Sequence, residues 1–182
     1  NQLKEKRYKV VIENLKDIRD AELAHRTVTG QFEGNWDSLV KFIETEKFTI
    51  TQRRDSTIID KELTRLYGVD TTKDIVIIDT LGFVPVKDSL FGADSRYKTM
   101  MNIPTIEDDQ KFELKAGSID DIPVFEASVD KSIILFDQDK NLVSNEKQTV
   151  SVDGVNGPKI VVGSMNEVKT TGNWPKNFAK KE

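Results

Sequence analysis

Apolar residues recur at three- and four-residue steps over the first thirty positions: Tyr8, Val11, Ile12, Leu15, Ile18, Ala21, His25 and Val28. A stripe of this kind, about 100° wide, predicts one amphipathic helix over residues 3–29. At ~1.5 Å per residue it spans about 40 Å. Gly30 stands where a helix end takes a left-handed residue. Glu5/Lys9, Lys16/Asp20 and Glu22/Arg26 lie four apart, which suits an exposed helix face. A second helix is expected over residues 36–46, with Trp36, Leu39, Val40 and Ile43 on the face turned to the first. Either Asn35 or Asp37 can accept from the free amides of its first turn.

The pattern then changes from helical steps to alternation. Residues 48–53 alternate as a half-buried strand does, and residues 75–80 form a short β-branched run. Gly82 is read as a turn into residues 83–86, where Pro85 suggests an edge or an end. Residues 97–103, 111–115 and 124–129 continue at spacings that suit antiparallel neighbours. Residues 61–67 fit neither period clearly, and residues 139–146 suggest a short helix. Residues 150–152 and 159–162 flank Asn156-Gly157, a hairpin signal.

Helices first and strands afterwards read as an α+β fold, a long and a short helix packed on a mainly antiparallel sheet. One domain is expected over residues 1–182, with residues 1–30 a partly protruding helix and 31–182 the body. The C-terminal half of the helix packs on the sheet in this reading, and its first two turns project.

Charge sharpens the picture of partners. The chain carries -4 overall, with ten acidic residues and three lysines between Ile103 and Asp139. That balance weighs against nucleic acid, which is bound by a basic face that releases counterions. No cysteine is present, so thiolate nucleophiles and Cys-type zinc sites are excluded. No apolar run approaches the ~18 residues of a membrane span.

The search for chemistry returns little. His25 is the only histidine, and near a helix end it gains from the dipole without needing a catalytic role. Asp137, Asp139 and Asn141 imitate the first positions of a calcium loop. Leu142 then replaces the required glycine and Gln148 the bidentate glutamate. These three are the candidate metal ligands. Adjacent acidic residues occur three times, fewer than the roughly five that chance gives at this composition, so they read as charged loops. Gly154-Val155-Asn156-Gly157 lies between β segments of an acidic chain, a hairpin tip rather than an RNA-clamping loop. No GxSxG elbow or phosphate-cradling glycine motif is present. No catalytic residue and no cofactor is assigned. Trp36 is expected to be buried. Trp174, in Gly-Asn-Trp-Pro, is read as a plug for the last segment or as a partner-binding hot spot.

Leu15, Ile18, Ala21, Gly30, Phe32, Ser38 and Leu39 resemble the spacing of type IV pilins and pseudopilins, over less than a quarter of the chain. Over nearly the whole length the chain resembles a group of uncharacterised single-span envelope proteins of Bacteroidetes-type bacteria. That likeness rests on residues 18–24, 52–55, 79–84, 112–117 and 172–175. It implies a membrane segment upstream of Asn1 and a periplasmic domain anchored to the inner membrane. It implies no known activity. Lys4, Lys6, Arg7 and Lys9 would favour the cytoplasmic side of such a span; the resemblance is preferred here. The expectation is a non-enzymatic structural or assembly component that binds other envelope proteins or itself. The alternatives are a ligand- or cation-binding module using residues 107–139 and, third, a hydrolase.

Overall fold

The structure, a computed structural model, describes residues 2–176 and 178; Asn1, Asn177, Ala179, Lys180, Lys181 and Glu182 lie outside them. Helix α1 (Gln2–Thr29) is followed by α2 (Trp36–Thr45), strand β1 (Lys47–Ile59), α3 (Lys61–Tyr67), β2 (Thr72–Pro85) and α4 (Val86–Phe91). Then come β3 (Glu113–Ile119), β4 (Ile122–Asp130), α5 (Lys131–Ile134), α6 (Lys140–Lys147) and β5 (Lys159–Gly163). The class is α+β, as the order of periodicities indicates.

Helix α1 is the spine. Its stripe from Tyr8 through Ala24 is buried, lying across β4 and β5 on one side and α2 and α4 on the other. Gly30, at φ 83°, donates its amide to Arg26 O at 2.8 Å and ends the helix, a conformation that any Cβ would strain. Asn35, rather than Asp37, caps α2 by accepting from Ser38 N at 3.0 Å. Leu39, Phe42 and Ile43 form its buried face. Trp36 and Val40 are only partly covered; the indole stays near the surface, where Nε1 donates to Phe112 O at 3.2 Å.

Less of α1 projects than the sequence suggests. Arg7 grips Asp137 through two 2.7 Å bonds and also reaches Ile134 O, and Lys4 pairs with Glu146 at 2.9 Å. The second turn is thereby held on the body. The i,i+4 pairs expected along α1 are replaced. Lys16 pairs with Glu13 and Arg19 with Asp20, while Glu22 turns inward.

The strands form two sheets rather than one. In the antiparallel order β3-β4-β5, Phe125, Ala127 and Val129 of β4 share the core-facing side. They sit opposite Ala116 and Leu114 of β3 and Val162 and Ile160 of β5. The hairpin turn is Asp120-Asp121, both at positive φ between the paired Ile119 and Ile122. Aspartate tolerates that conformation. Asn156-Gly157 does not make a hairpin. Val150 and Val152 are each 91% exposed and in no strand, and β5 pairs with β4 because Ile160 and Val162 fill its core edge.

The other sheet is the ribbon β1–β2. Residues 75–80 and 83–86 belong to one strand apart from Val86, which opens α4; Gly82 is not a turn. Ile50 faces Gly82 and Thr51 faces Thr80, so Leu81 bulges and the strand continues. Pro85 ends it, as expected. Residues 97–103 are also not a strand. Arg96–Lys98 is a 3-10 turn, and irregular packing buries Tyr97, Met100, Met101 and Ile103. The segment at residues 111–115 becomes regular only at Glu113.

Leu15 lies at the middle of the spine with no exposed surface. Leu15→Ala should cost about 2–5 kcal/mol by chemical denaturation. A loss below about 1 kcal/mol would show that the α1 seam is not the main core.

Candidate interaction surface

Strands β1 and β2 pair over a register from Lys47↔Pro85 to Ile59↔Thr72. At ~3.3 Å per residue that arm is about 40 Å long. It meets the body at its base, where Phe48 packs on the core and Val86 N donates to Glu46 O at 3.0 Å. Farther out no residue of either strand is buried. Cross-strand bonds hold the pairing: Arg54 to Asp79 at 2.7 Å and Thr57 to Asp74 at 3.0 Å. Polar positions 54–57 of β1, beyond the strand read over residues 48–53, are stabilised by these partners on β2.

The composition of β2 explains why the arm matters. A strand apolar on both faces ordinarily has cover on both; in β2 one face is half-covered and the other is exposed. By register, Ile59, Val76, Ile78 and Phe83 share one face with Arg53 and Asp55. Ile50 and Ile58 lie on the other, beside the half-covered Ile75 and Ile77. Ile78 is 67% exposed and Phe83 64%.

Helix α3 closes the far end. Asp60 caps it by accepting from Glu62 N and Leu63 N, and Gly68 ends it at φ 69°. Thr64 and Thr71 clasp each other through side chain and backbone. This rigid tip presents Leu66, 73% exposed, with Tyr67 and Val69 beside it. Each face of such an arm, ~40 Å by ~10 Å, offers on the order of 400 Å² of mixed apolar and charged surface. Residue by residue, the arm was legible only as β segments; its freedom from the body was not.

The residues singled out from sequence do not converge. Asp137 is engaged by Arg7, whose guanidinium holds its carboxyl well below the usual range. Asp139 caps α6 by accepting from Asn141 N and Leu142 N, and Asn141 belongs to that helix. Among the described residues, no three His, Asp or Glu side chains are grouped to hold a metal ion. His25 closes the helix end: Nδ1 meets Gln31 O and the Thr29 hydroxyl, and the ring packs 4.7 Å from Phe42. A carbonyl oxygen accepts only, so the bond to Gln31 O places the proton on Nδ1. Nδ1 therefore cannot take a proton from Thr29, whose hydroxyl is in any case directed to His25 O at 2.8 Å. Trp174 folds over Gly172, where a Cβ would collide with the ring, and packs on the core.

Two buried charged groups escaped the sequence reading. Lys131 has no exposed surface; Nζ donates to Glu146 O at 2.8 Å and to Val155 O, tying α6 to residues 149–158. Burial pushes its pKa down, opposed by the Glu146 carboxylate. Tyr8 donates to the same carboxylate at 3.4 Å, and burial pushes its phenol up. Glu22 accepts from Glu33 N at 3.0 Å through Oε2, while Oε1 has no partner. Burial raises its pKa from 4.5 to about 8; the bond from the Glu33 amide opposes the rise, and the Glu33 carboxylate adds a smaller part to it.

Comparison with protein families, curated proteins and solved structures finds no match for the chain.

Two tests follow from these contacts. Unfolded, Glu22 titrates near 4.5; folded, near 8. The folded chain therefore holds the extra proton between those values. Its stabilising contribution is complete below pH ~4.5 and is lost as pH rises through about 8. Glu22→Gln should remove this slope, so that variant stability relative to wild type rises by on the order of 4 kcal/mol between pH 4.5 and 8.5. A constant difference in paired melts would count against the buried carboxyl. Trp174→Ala should lower stability by about 2 kcal/mol if the ring is a plug. Unchanged melting would return the residue to the hot-spot reading.

Proposed function

We propose that this chain is a non-enzymatic structural or assembly component of a bacterial cell envelope, docking on protein through the β1–β2 arm. The observation that carries this reading is a strand apolar on both faces, β2, held out from the body with neither face buried. Folding gains nothing from leaving such side chains in water, so the arm is built for a second surface. Envelope location, on the periplasmic side of an inner-membrane anchor upstream of Asn1, follows from the resemblance to single-span Bacteroidetes-type proteins. On this reading α1, clamped to the body from Lys4 onward, gives a rigid link between membrane and domain. A scaffold suits this better than a pilin subunit, because the α1 stripe is already covered from Tyr8 to Ala24.

The cation-binding alternative has no observation in its favour, since Asp137 and Asp139 are engaged by Arg7 and by the α6 amides. The hydrolase has little behind it: His25 Nδ1 is spent on closing α1, and Nε2 stands 3.7 Å from a Glu33 carboxylate oxygen, beyond hydrogen-bond reach.

A photo-crosslinking side chain placed at Ile78 or Leu66 in cells should give discrete protein adducts. The same group at Val150, more exposed still but off the arm, should give none. Adducts from Val150 alone, or from no position, would overturn the arm as docking element. Ile78→Asp should abolish the adducts formed from Leu66 while changing stability by under about 0.5 kcal/mol.

A further inference from the structure

Resting on that docking role, we infer that the partner of the arm is a second copy of this chain, joined β2 to β2 about a twofold axis at Val76. The ribbon is two strands wide, so β2 keeps one unpaired edge. An open edge is a template for a further strand. A twofold axis perpendicular to the ribbon makes that pairing antiparallel and keeps each side chain on its own face.

About Val76 the β2 sequence pairs compatibly with itself at every position but one, Asp74 opposite the partner's Ile78. Ile75 falls opposite the partner's Ile77, and Thr72 opposite the partner's Thr80. Lys73 falls opposite the partner's Asp79, and symmetry makes this ion pair twice. Moving the axis to Ile75 or Ile77 sets Lys73 opposite an apolar residue instead, Ile77 or Leu81. Unlike charges directly opposite stabilise a strand pair, and this register alone of the three supplies them. The same register carries each tip toward the partner's base, bringing Tyr67 and Val69 to Leu81 and Phe83. All four are exposed in the single chain.

Long-range charge agrees. Residues 47–85 hold six basic and six acidic side chains, so the arm is neutral while the chain carries -4. The net charge therefore lies entirely outside the arm: bodies repel, and arms are free to meet. Nine paired residues plus two tip contacts bury on the order of 1,000 Å², the size of weak, reversible interfaces.

Sedimentation velocity of the purified chain from about 1 to 300 μM should show a monomer–dimer equilibrium. Lys73→Asp and Asp79→Lys should each weaken it at least tenfold, because each homodimer would carry two like-charge pairs. Mixed together, the two variants should associate again, since the heterodimer restores both unlike pairs. Within one chain Lys73 and Asp79 are six residues apart along a strand, too far for such rescue to be internal. Tyr67→Asp, at an exposed tip position, should weaken the dimer independently of Asp79 and its bond to Arg54. A wild-type chain monomeric throughout, or a dimer indifferent to these changes and to mixing, overturns the inference. A monomer whose arm still crosslinks another protein in cells overturns self-pairing and leaves the docking role standing. An arm that crosslinks nothing removes both.

Discussion

Burial of the α1 stripe against β4 and β5 is the constraint on which the remaining architecture depends. Tyr8, Val11, Ile12, Leu15 and Ile18 lie almost wholly out of water, and burial of each such side chain contributes about 1.5–3 kcal/mol. Because a helix repeats every 3.6 residues, one straight stripe fixes the positions of everything that covers it. The three-stranded sheet covers one side, α2 and α4 the other. Arg7 and Lys4 then hold α5, α6 and their flanking turn against the first turns of the same helix.

Charged groups drawn into this seam show how fully it is closed. Lys131 is buried but well provided, with two carbonyls and the Tyr8 ring 5.8 Å away. Glu22 is buried with one oxygen unpaired and resolves the conflict by holding its proton near neutrality. The difference is one of geometry. Lysine's three donors find carbonyls at frayed helix and loop ends, whereas a carboxylate beside a tight turn meets a single amide.

The arm follows the opposite logic. Its strands pair along their inner edges and leave their side chains in solvent, with Arg54–Asp79 and Thr57–Asp74 fixing the register. A two-stranded ribbon is marginal alone; here anchorage at Phe48 and the Thr64–Thr71 clasp hold its two ends. The body thus retains a preformed surface whose apolar residues do not contribute to the core.

By itself the sequence determined α1, α2 and a short helix near residues 139–146. The α1 stripe and Gly30 are local matters, set by 3.6-residue periodicity and by hydrogen bonds spanning three or four residues. It also determined that 75–80 is strand, since β-branched runs suit an extended backbone. Tertiary structure alone decided which strands are neighbours, because pairing joins positions far apart in sequence: β5 with β4, and Asp55–Ile59 with Thr72–Val76. It decided that Glu22, patterned as an exposed partner for Arg26, points inward to meet the turn at Glu33. It also decided that the apolar run of β2 faces solvent. Hydrophobicity records that a side chain is better off covered; only the arrangement of the whole chain decides whether its own body covers it.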